Sequence, residues 1–467
     1  MSEEEVKLTD VAHEKPVYSA FSQTRKLIIV SVITLAGFLG PMSGNIYLPI
    51  LPELQKVFGV SETAINGTVS VFMAVFAFAP LFWSSWADFG GRKTWYLVSI
   101  TIFVFANIML AVLPPHIASL YCFRMLQAFG ASSVVSLGVG TIADIVEPTS
   151  RAKVISYFML GPQLGPVIGP VLSLIGTQSS WRWVFGFLAI FGGFVLLLLN
   201  LIPETLRYLV GNGEYYQDKT WILFPKPITK KVTDGNYPIT PKPSIKAIFK
   251  MMTFKPVLSC SLISGLIFAS FYGLIISYGR ILKKNYQYSN MAVSIAYLCP
   301  GLSLITGSLI SGHLSDYLRF KRQKAHGKTI PEERLSTMVF GLILTTISTT
   351  AYGWICQYSI NKIALFVFTF LTGFGTTWVF VISTTYLSES CCGRPATTVA
   401  IGNIMRNLAA AISSAIIEIL INSMGYGWCF TGLGIVNMIS LILSIIVTKY
   451  GAKWRQEYED NDKTNEK

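Results

Sequence analysis

The sequence predicts an all-α membrane protein of twelve transmembrane helices in two six-helix halves. Three observations carry this. Hydrophobic residues make up 52% of the 467 residues against 13% charged, with a mean hydropathy of +0.53, far from the balance of a soluble domain. About twelve apolar stretches approach the roughly 20 residues that a helix needs to cross a hydrocarbon core. Between the sixth and seventh, the chain turns polar and proline-rich (Pro225, Pro227, Pro238, Pro241, Pro243 and Pro256), as a linker between two units would, with too few apolar residues for a core of its own.

In chain order the spans are expected at 27–49, 64–87, 94–113, 117–143, 152–176, 182–202, 257–281, 291–314, 335–356, 362–387, 398–424 and 428–447. The corresponding division is an N-terminal tail (1–26), a first half (27–203), a linker (204–256), a second half (257–449) and a C-terminal tail (450–467). The stretch before span 1 is polar, carries Glu3, Glu4 and Glu5, and lacks the short apolar core of a cleavable signal peptide, so this tail is expected in the cytosol. Basic residues cluster in the loops after spans 2, 4, 8 and 10 (Arg92, Lys93, Arg151, Lys153, Arg319, Lys321, Arg322 and Arg334 among them), which the positive-inside rule places on the cytosolic side with both termini. That basic, lipid-facing surface accounts for the net charge of +13, which is spread over short loops and not gathered on one domain face as nucleic-acid binding requires.

Several spans carry residues that a plain anchor does not need. Span 1 has a polar break at Asn45 and Tyr47, open to two readings: contacts to a transported molecule, or hydrogen bonds to a neighbouring helix. Span 4 holds Arg124 about seven residues inside, where a charge is tolerated only toward a polar interior, or by snorkelling outward past Tyr121; Gln127 shares its face. Span 5 contains Gly161-Pro162-Gln163-Leu164-Gly165-Pro166-Val167-Ile168-Gly169-Pro170, a run suited to a bent helix that another backbone approaches closely. Aromatic residues crowd span 2 (Phe72, Phe76, Phe78, Phe82, Trp83) and span 10 (Phe366, Phe368, Phe370, Phe374, Trp378); the few that line a cavity would favour flat, amphipathic or cationic molecules. Span 11 places Glu418 toward its outer end, and Arg406, twelve residues earlier and about 18 Å away along the helix, is no direct partner for it. A weak internal repeat pairs the halves: Ser84-x-x-x-Asp88 closes span 2 and Gly312-x-x-x-Asp316 closes span 8. A carboxylate at such a junction can accept from a helix N-terminus or pair with a cation.

Enzyme chemistry has no foothold. The seven cysteines form neither a disulfide framework nor a metal-ligand spacing, Cys391-Cys392 included, the four histidines are scattered, and no nucleophile elbow or Walker motif occurs. No cofactor or metal is expected.

Asp88-Phe89-Gly90-Gly91-Arg92-Lys93 resembles the signature loop between spans 2 and 3 of the major facilitator superfamily. Arg124-x-x-Gln127-x-x-Gly130 is similar to its span 4 motif, and the Gly161–Pro170 run to the span 5 motif of its antiporters. Pro203-Glu204-Thr205-Leu206-Arg207-Tyr208-Leu209 after span 6, and Pro331-Glu332-Glu333-Arg334-Leu335 before span 9, resemble segments of fungal twelve-span drug:proton antiporters, in particular the quinidine-resistance and dityrosine-exporter subgroup. The chain departs from the family pattern at Ser84, usually glycine, and Phe89, usually arginine.

The resemblance implies the major facilitator fold and export of small organic molecules by proton antiport with alternating access. It implies a cytosolic gate at Asp88, Gly91, Arg92, Gly312 and Asp316, and proton coupling at Arg124 and Gln127. An antiporter motif follows at Gly161, Pro162, Gly165, Pro166 and Gly169, and a cavity that Asn45, Tyr47, Gln163 and Glu418 could line. The expected partners are a small-molecule substrate, protons and the bilayer, with no nucleic acid; a plasma-membrane monomer is expected. The alternatives are an uptake facilitator or symporter of the same fold and a sensor without turnover.

Overall fold

The computed structural model describes residues 18–47, 50–173, 180–213, 215–216, 230–231, 245–288, 290–326, 330–390 and 395–465. The long helices follow one another as α1 (Gln23–Asn45), α2 (Glu62–Gly90), α3 (Arg92–Val112), α4 (Ile117–Ile145), α5 (Arg151–Leu172) and α6 (Arg182–Leu201). After the linker come α7 (Lys255–Lys284), α8 (Leu298–His326), α9 (Leu335–Tyr358) and α10 (Lys362–Ser390). The last run, Pro395–Asn465, turns at Gly425, whose φ of 78° is open to glycine; α11 (395–424) and α12 (426–465) are its two arms. These are the twelve spans the sequence predicts.

Among the described residues the one strand pairing is a two-residue parallel pair in the linker, Tyr215–Tyr216 with Lys230–Lys231. The C-terminal segment expected as a tail continues α12 as helix, with Arg455 reaching Glu332 at 3.3 Å. The signature loop between spans 2 and 3 shrinks to one residue, because α2 runs to Gly90 and α3 starts at Arg92. Cys391, Cys392 and most of the linker lie outside the described residues.

Local chemistry sets the helix ends. Ser22 and Ser61 cap α1 and α2, their hydroxyls accepting from Arg25 N at 3.3 Å and Ala64 N at 3.2 Å. Pro41 and Pro80 sit inside α1 and α2, where helix neighbours can satisfy the freed backbone groups.

Among the described residues nine helices are long and apolar enough to cross a membrane on those grounds alone, and α5, α8 and α11 are not among them. These three, rich in glycine, serine and asparagine, are packed against other helices: α5 on α1 and α8, α11 on α7 and α2. Their packed faces carry the small and polar residues, while Leu302 and Ile310 on α8 and Ile412 and Ile419 on α11 stay exposed. The outer surface is the reverse, with Ile190, Leu197 and Leu201 on α6 and Ile435, Ile442 and Ile445 on α12 all more than half exposed. At the centre, α4 is buried at every position from Ser133 to Ile145.

Candidate functional site

The face bearing the α2–α3, α4–α5, α8–α9 and α10–α11 loops, here called the basic face, holds two matching charge clusters. In the first half, Asp88 Oδ1 pairs with Arg92 Nη1 at 2.5 Å, and Arg92 Nε donates to Asp144 Oδ2 at 2.9 Å. Gly91 makes the turn that delivers Arg92, with a φ of 104° that an L side chain rarely adopts; a β-carbon there would also lie 2.6 Å from Glu204 Oε2. Glu204 caps α3, accepting from Arg92 N at 2.8 Å and Lys93 N at 3.1 Å.

The second half repeats the pattern. Asp316 Oδ1 accepts from Arg334 Nη1 at 2.8 Å, and Arg334 Nη2 lies 3.2 Å from Glu389 Oε1, which in turn meets Arg319 through its other oxygen at 2.5 Å. Arg92 and Arg334 each stand where the third helix of a half begins, and Asp144 and Glu389 each stand one residue before the fourth helix ends.

Each aspartate also reaches across to the other half. Asp88 Oδ2 accepts from Thr397 N at 3.2 Å and Thr397 Oγ1 at 2.6 Å, at the third residue of α11. Asp316 accepts from Ala152 N at 3.2 Å and Lys153 N at 2.7 Å, the second and third residues of α5. Both carboxylates therefore bind free N–H groups of the opposite half's helix N-terminus, where the helix dipole favours an anion. Packing closes over these contacts. A β-carbon at Gly312 would lie 2.7 Å from Ala152 O, and one at Gly140 would lie 2.9 Å from Ala396 Cβ. Arg334 Nη2 donates to Pro148 O, and Arg151 approaches Glu389 at 3.9 Å. Tyr18 sits beneath, its hydroxyl donating to Ala143 O at 2.9 Å and accepting from Arg151 Nη2 at 3.0 Å, its ring under Arg207 at 3.6 Å.

Arg124 is fully buried and faces the bundle, so it does not snorkel; Tyr121 turns to Ala64 O at 2.7 Å. Its guanidinium carbon lies 4.0 Å from the ring centre of Tyr47 and 4.2 Å from that of Phe72. Nη1 donates to Gln127 Oε1 at 2.5 Å and Ser43 O at 3.3 Å, and Gln127 passes the network to Asn107 at 2.5 Å. Nε and Nη2 have no partner among the described residues.

The span 5 glycines form one face against α1. A β-carbon at Gly161 would collide with Thr34 O; at Gly165 it would lie 2.7 Å from Met42 N, and at Gly169 3.0 Å from Ile46 N. Pro162 lies on the same seam beside Gly37. Of the residues expected at a cavity, Tyr47 is fully buried with its hydroxyl 2.8 Å from Thr68 Oγ1, and Asn45 Nδ2 donates to Pro41 O at 2.7 Å. Tyr47 thus bonds to a neighbouring helix, whereas Asn45 bonds back to the carbonyl four residues earlier in its own helix. Gln163 is buried with both amide atoms unpartnered among the described residues. The side chain of Glu418 lies outside the described residues.

Sequence reasoning missed Asp144, Glu204, Thr397, Glu389 and Asn107 as site residues. The first and fourth are carboxylates one and two residues past the expected ends of spans 4 and 10, and Glu204 lies within the quoted Pro203-Glu204-Thr205-Leu206 segment; Thr397 and Asn107 carry no such signal.

Two helical halves joined by a matched set of breakable contacts define a membrane transporter, not an enzyme. The profile of the Major Facilitator Superfamily matches residues 33–327 and 333–464, and the chain belongs to that family of multi-pass integral membrane transporters. It is 44% identical over 474 residues to Dityrosine transporter 1 of Saccharomyces cerevisiae, covering 93% of this chain and 82% of that one. It is 41% identical to Multidrug transporter DTR1 of Candida glabrata, covering 94% and 86%. In fold it is similar to the proton:xylose symporter XylE, with a TM-score of 0.69 at 14% identity over 92% of this chain and 96% of that one.

Proposed function

We propose that the protein exports small organic molecules by secondary active transport, exchanging them for protons as its two halves rock about a central binding region. The observation that carries this reading is the reciprocal capping of α11 by Asp88 and of α5 by Asp316. Such contacts seal one face while the halves are closed, and they exchange for water when the halves part, which is what an alternating-access gate requires. Asp88, Gly91, Arg92, Gly312 and Asp316 are its parts, with Asp144, Thr397, Arg334 and Glu389 completing it. The excess of Lys and Arg on this face supports a cytosolic orientation for it and for both termini.

Coupling is assigned to Arg124 with Gln127, the buried cation whose network spans α1, α3 and α4. The Gly161–Pro170 run, similar to the span 5 motif of the superfamily's antiporters, supports exchange over co-transport. The names of the two fungal relatives, a dityrosine transporter and a multidrug transporter, favour organic cargo.

The test is flux of N-acetyltyrosine, tyramine and citrate in reconstituted vesicles with and without an imposed pH gradient. Gradient-driven movement of at least one, opposite to the protons, is expected. Flux that ignores the gradient identifies a facilitator, and flux running with the protons a symporter.

A further inference from the structure

Between the cluster on the basic face and the loops on the opposite face, the charged residues of the helices are Arg124, Arg280, Arg406 and Glu418. Three cations against one carboxylate leave the interior positive. Glu418 does not offset Arg406, because twelve residues of helix separate them by about 18 Å.

The surroundings of Arg406 differ from those of Arg124. Both guanidinium groups lie over two aromatic rings; for Arg406 the distances are 4.2 Å to Phe380 and 4.9 Å to Phe268. Arg124 also donates to Gln127 and Ser43, which pin it in place. Arg406 Nε has no partner among the described residues, and no described carboxylate lies within ion-pair distance of the group. Ring faces attract a cation but do not accept the N–H groups of its fork. The position is therefore a half-buried cation whose Nε is sealed without an acceptor among the described residues, and membrane interiors keep such a charge for a partner or a pathway.

Its place in the fold fits cargo. Arg406 stands where α7, α10 and α11 meet, and α10 and α11 both pack against helices of the first half. Phe268 continues into Tyr272, ring centres 5.1 Å apart, and Tyr272 is 36% exposed. A flat ring can lie on this aromatic strip while an acid group attached to it meets the guanidinium fork.

We propose that Arg406, framed by Phe268, Phe380 and Tyr272, receives the carboxylate of an aromatic organic acid, so that the cargo is anionic and not the cationic class that aromatic content alone suggests. This rests on the exporter reading for calling the ligand cargo; the binding itself is independent of turnover. The experiment is equilibrium dialysis of the detergent-purified full chain at pH 7 against radiolabelled N-acetyltyrosine, its neutral amide N-acetyltyrosinamide, and the cation tyramine. The acid is expected to bind saturably, with the amide and the amine at least about tenfold weaker, since removing one partner of a buried charge pair is costly. Arg406→Gln should bring the acid down to the affinity of the amide and leave the amide unchanged, while Arg406→Lys should fall between. Amide or amine binding as tight as the acid, no saturable binding of the acid, or an unchanged acid affinity in Arg406→Gln would overturn the proposal. The comparison of the three compounds on the native chain decides even if the glutamine variant does not fold. Because no flux is read, a failure in the vesicle experiment strikes the exporter reading and leaves the site standing.

Discussion

Arg124 shows what a single buried charge asks of its neighbours. A guanidinium in the membrane interior must find ring faces and acceptors, and it finds Tyr47, Phe72, Gln127 and the Ser43 carbonyl on three helices. Replacing it with alanine leaves Gln127 held only by Asn107 and should abolish pH-gradient-driven flux in vesicles. Arg124→Lys keeps a cation over the rings but loses the planar fork, so it should retain part of the flux. An alanine variant that still responds fully to the gradient would make the residue purely structural. The sequence left Arg124 two directions, toward the bundle or outward past Tyr121, and burial shows it takes the first. Of its partners only Gln127 was legible: Tyr47 read equally as a contact to cargo, and Asn107, which extends the network, gave no signal, since a lone amide in an apolar helix does not reveal which helix faces it.

At the scale of elements, the span 5 run was legible as a close-packing seam, but its partner was not. Glycines at 161, 165 and 169 recur every four residues, which puts them on one helix face, and nothing in that spacing says the face meets α1. At Gly165 a β-carbon would lie 2.7 Å from both Met42 N and Pro41 Cβ, backbone and ring atoms that cannot swing aside. Gly165→Leu should therefore disable flux and lower thermal stability by about 1–3 kcal/mol or more, as overpacking does. Gly193→Ala on α6, where a β-carbon meets nothing within 4 Å, is the matched control and should leave both unchanged. Equal melting temperatures for the leucine variant and the native chain, read by the thermal unfolding of purified protein, would remove the seam from the argument. That the C-terminal segment continues α12 as helix, far enough for Arg455 to reach Glu332, was not legible, because a charged stretch after the last apolar span carries no sign of which residue it will meet.

Across the whole molecule, the two halves hold each other through a swap of helix caps. The sequence repeat showed that Asp88 and Asp316 are equivalent, yet it could not show that each serves the other half's helix, since Asp88 and Thr397 are 309 residues apart. Equivalence makes a quantitative expectation possible. Asp88→Asn removes the charge that Thr397 and Arg92 share, and Asp316→Asn removes the one shared by Ala152, Lys153 and Arg334. A hydrogen bond to a charged group contributes roughly 1.5–3 kcal/mol, so each variant should raise the population open at the basic face on the order of 10-fold or more. Ala396, fully buried between the halves beside Gly140, reports that opening when changed to cysteine in a background lacking the seven native cysteines. Maleimide should label Ala396→Cys faster in either asparagine variant. In the double variant the two increments should add as free energies, because the carboxylates engage separate helices. Membrane insertion should be unaffected, since both substitutions keep volume. Labelling rates equal to the parent in both single variants would mean that these contacts do not hold the face shut, and the gate would have to be sought in the packing around Gly312 and Gly140 instead.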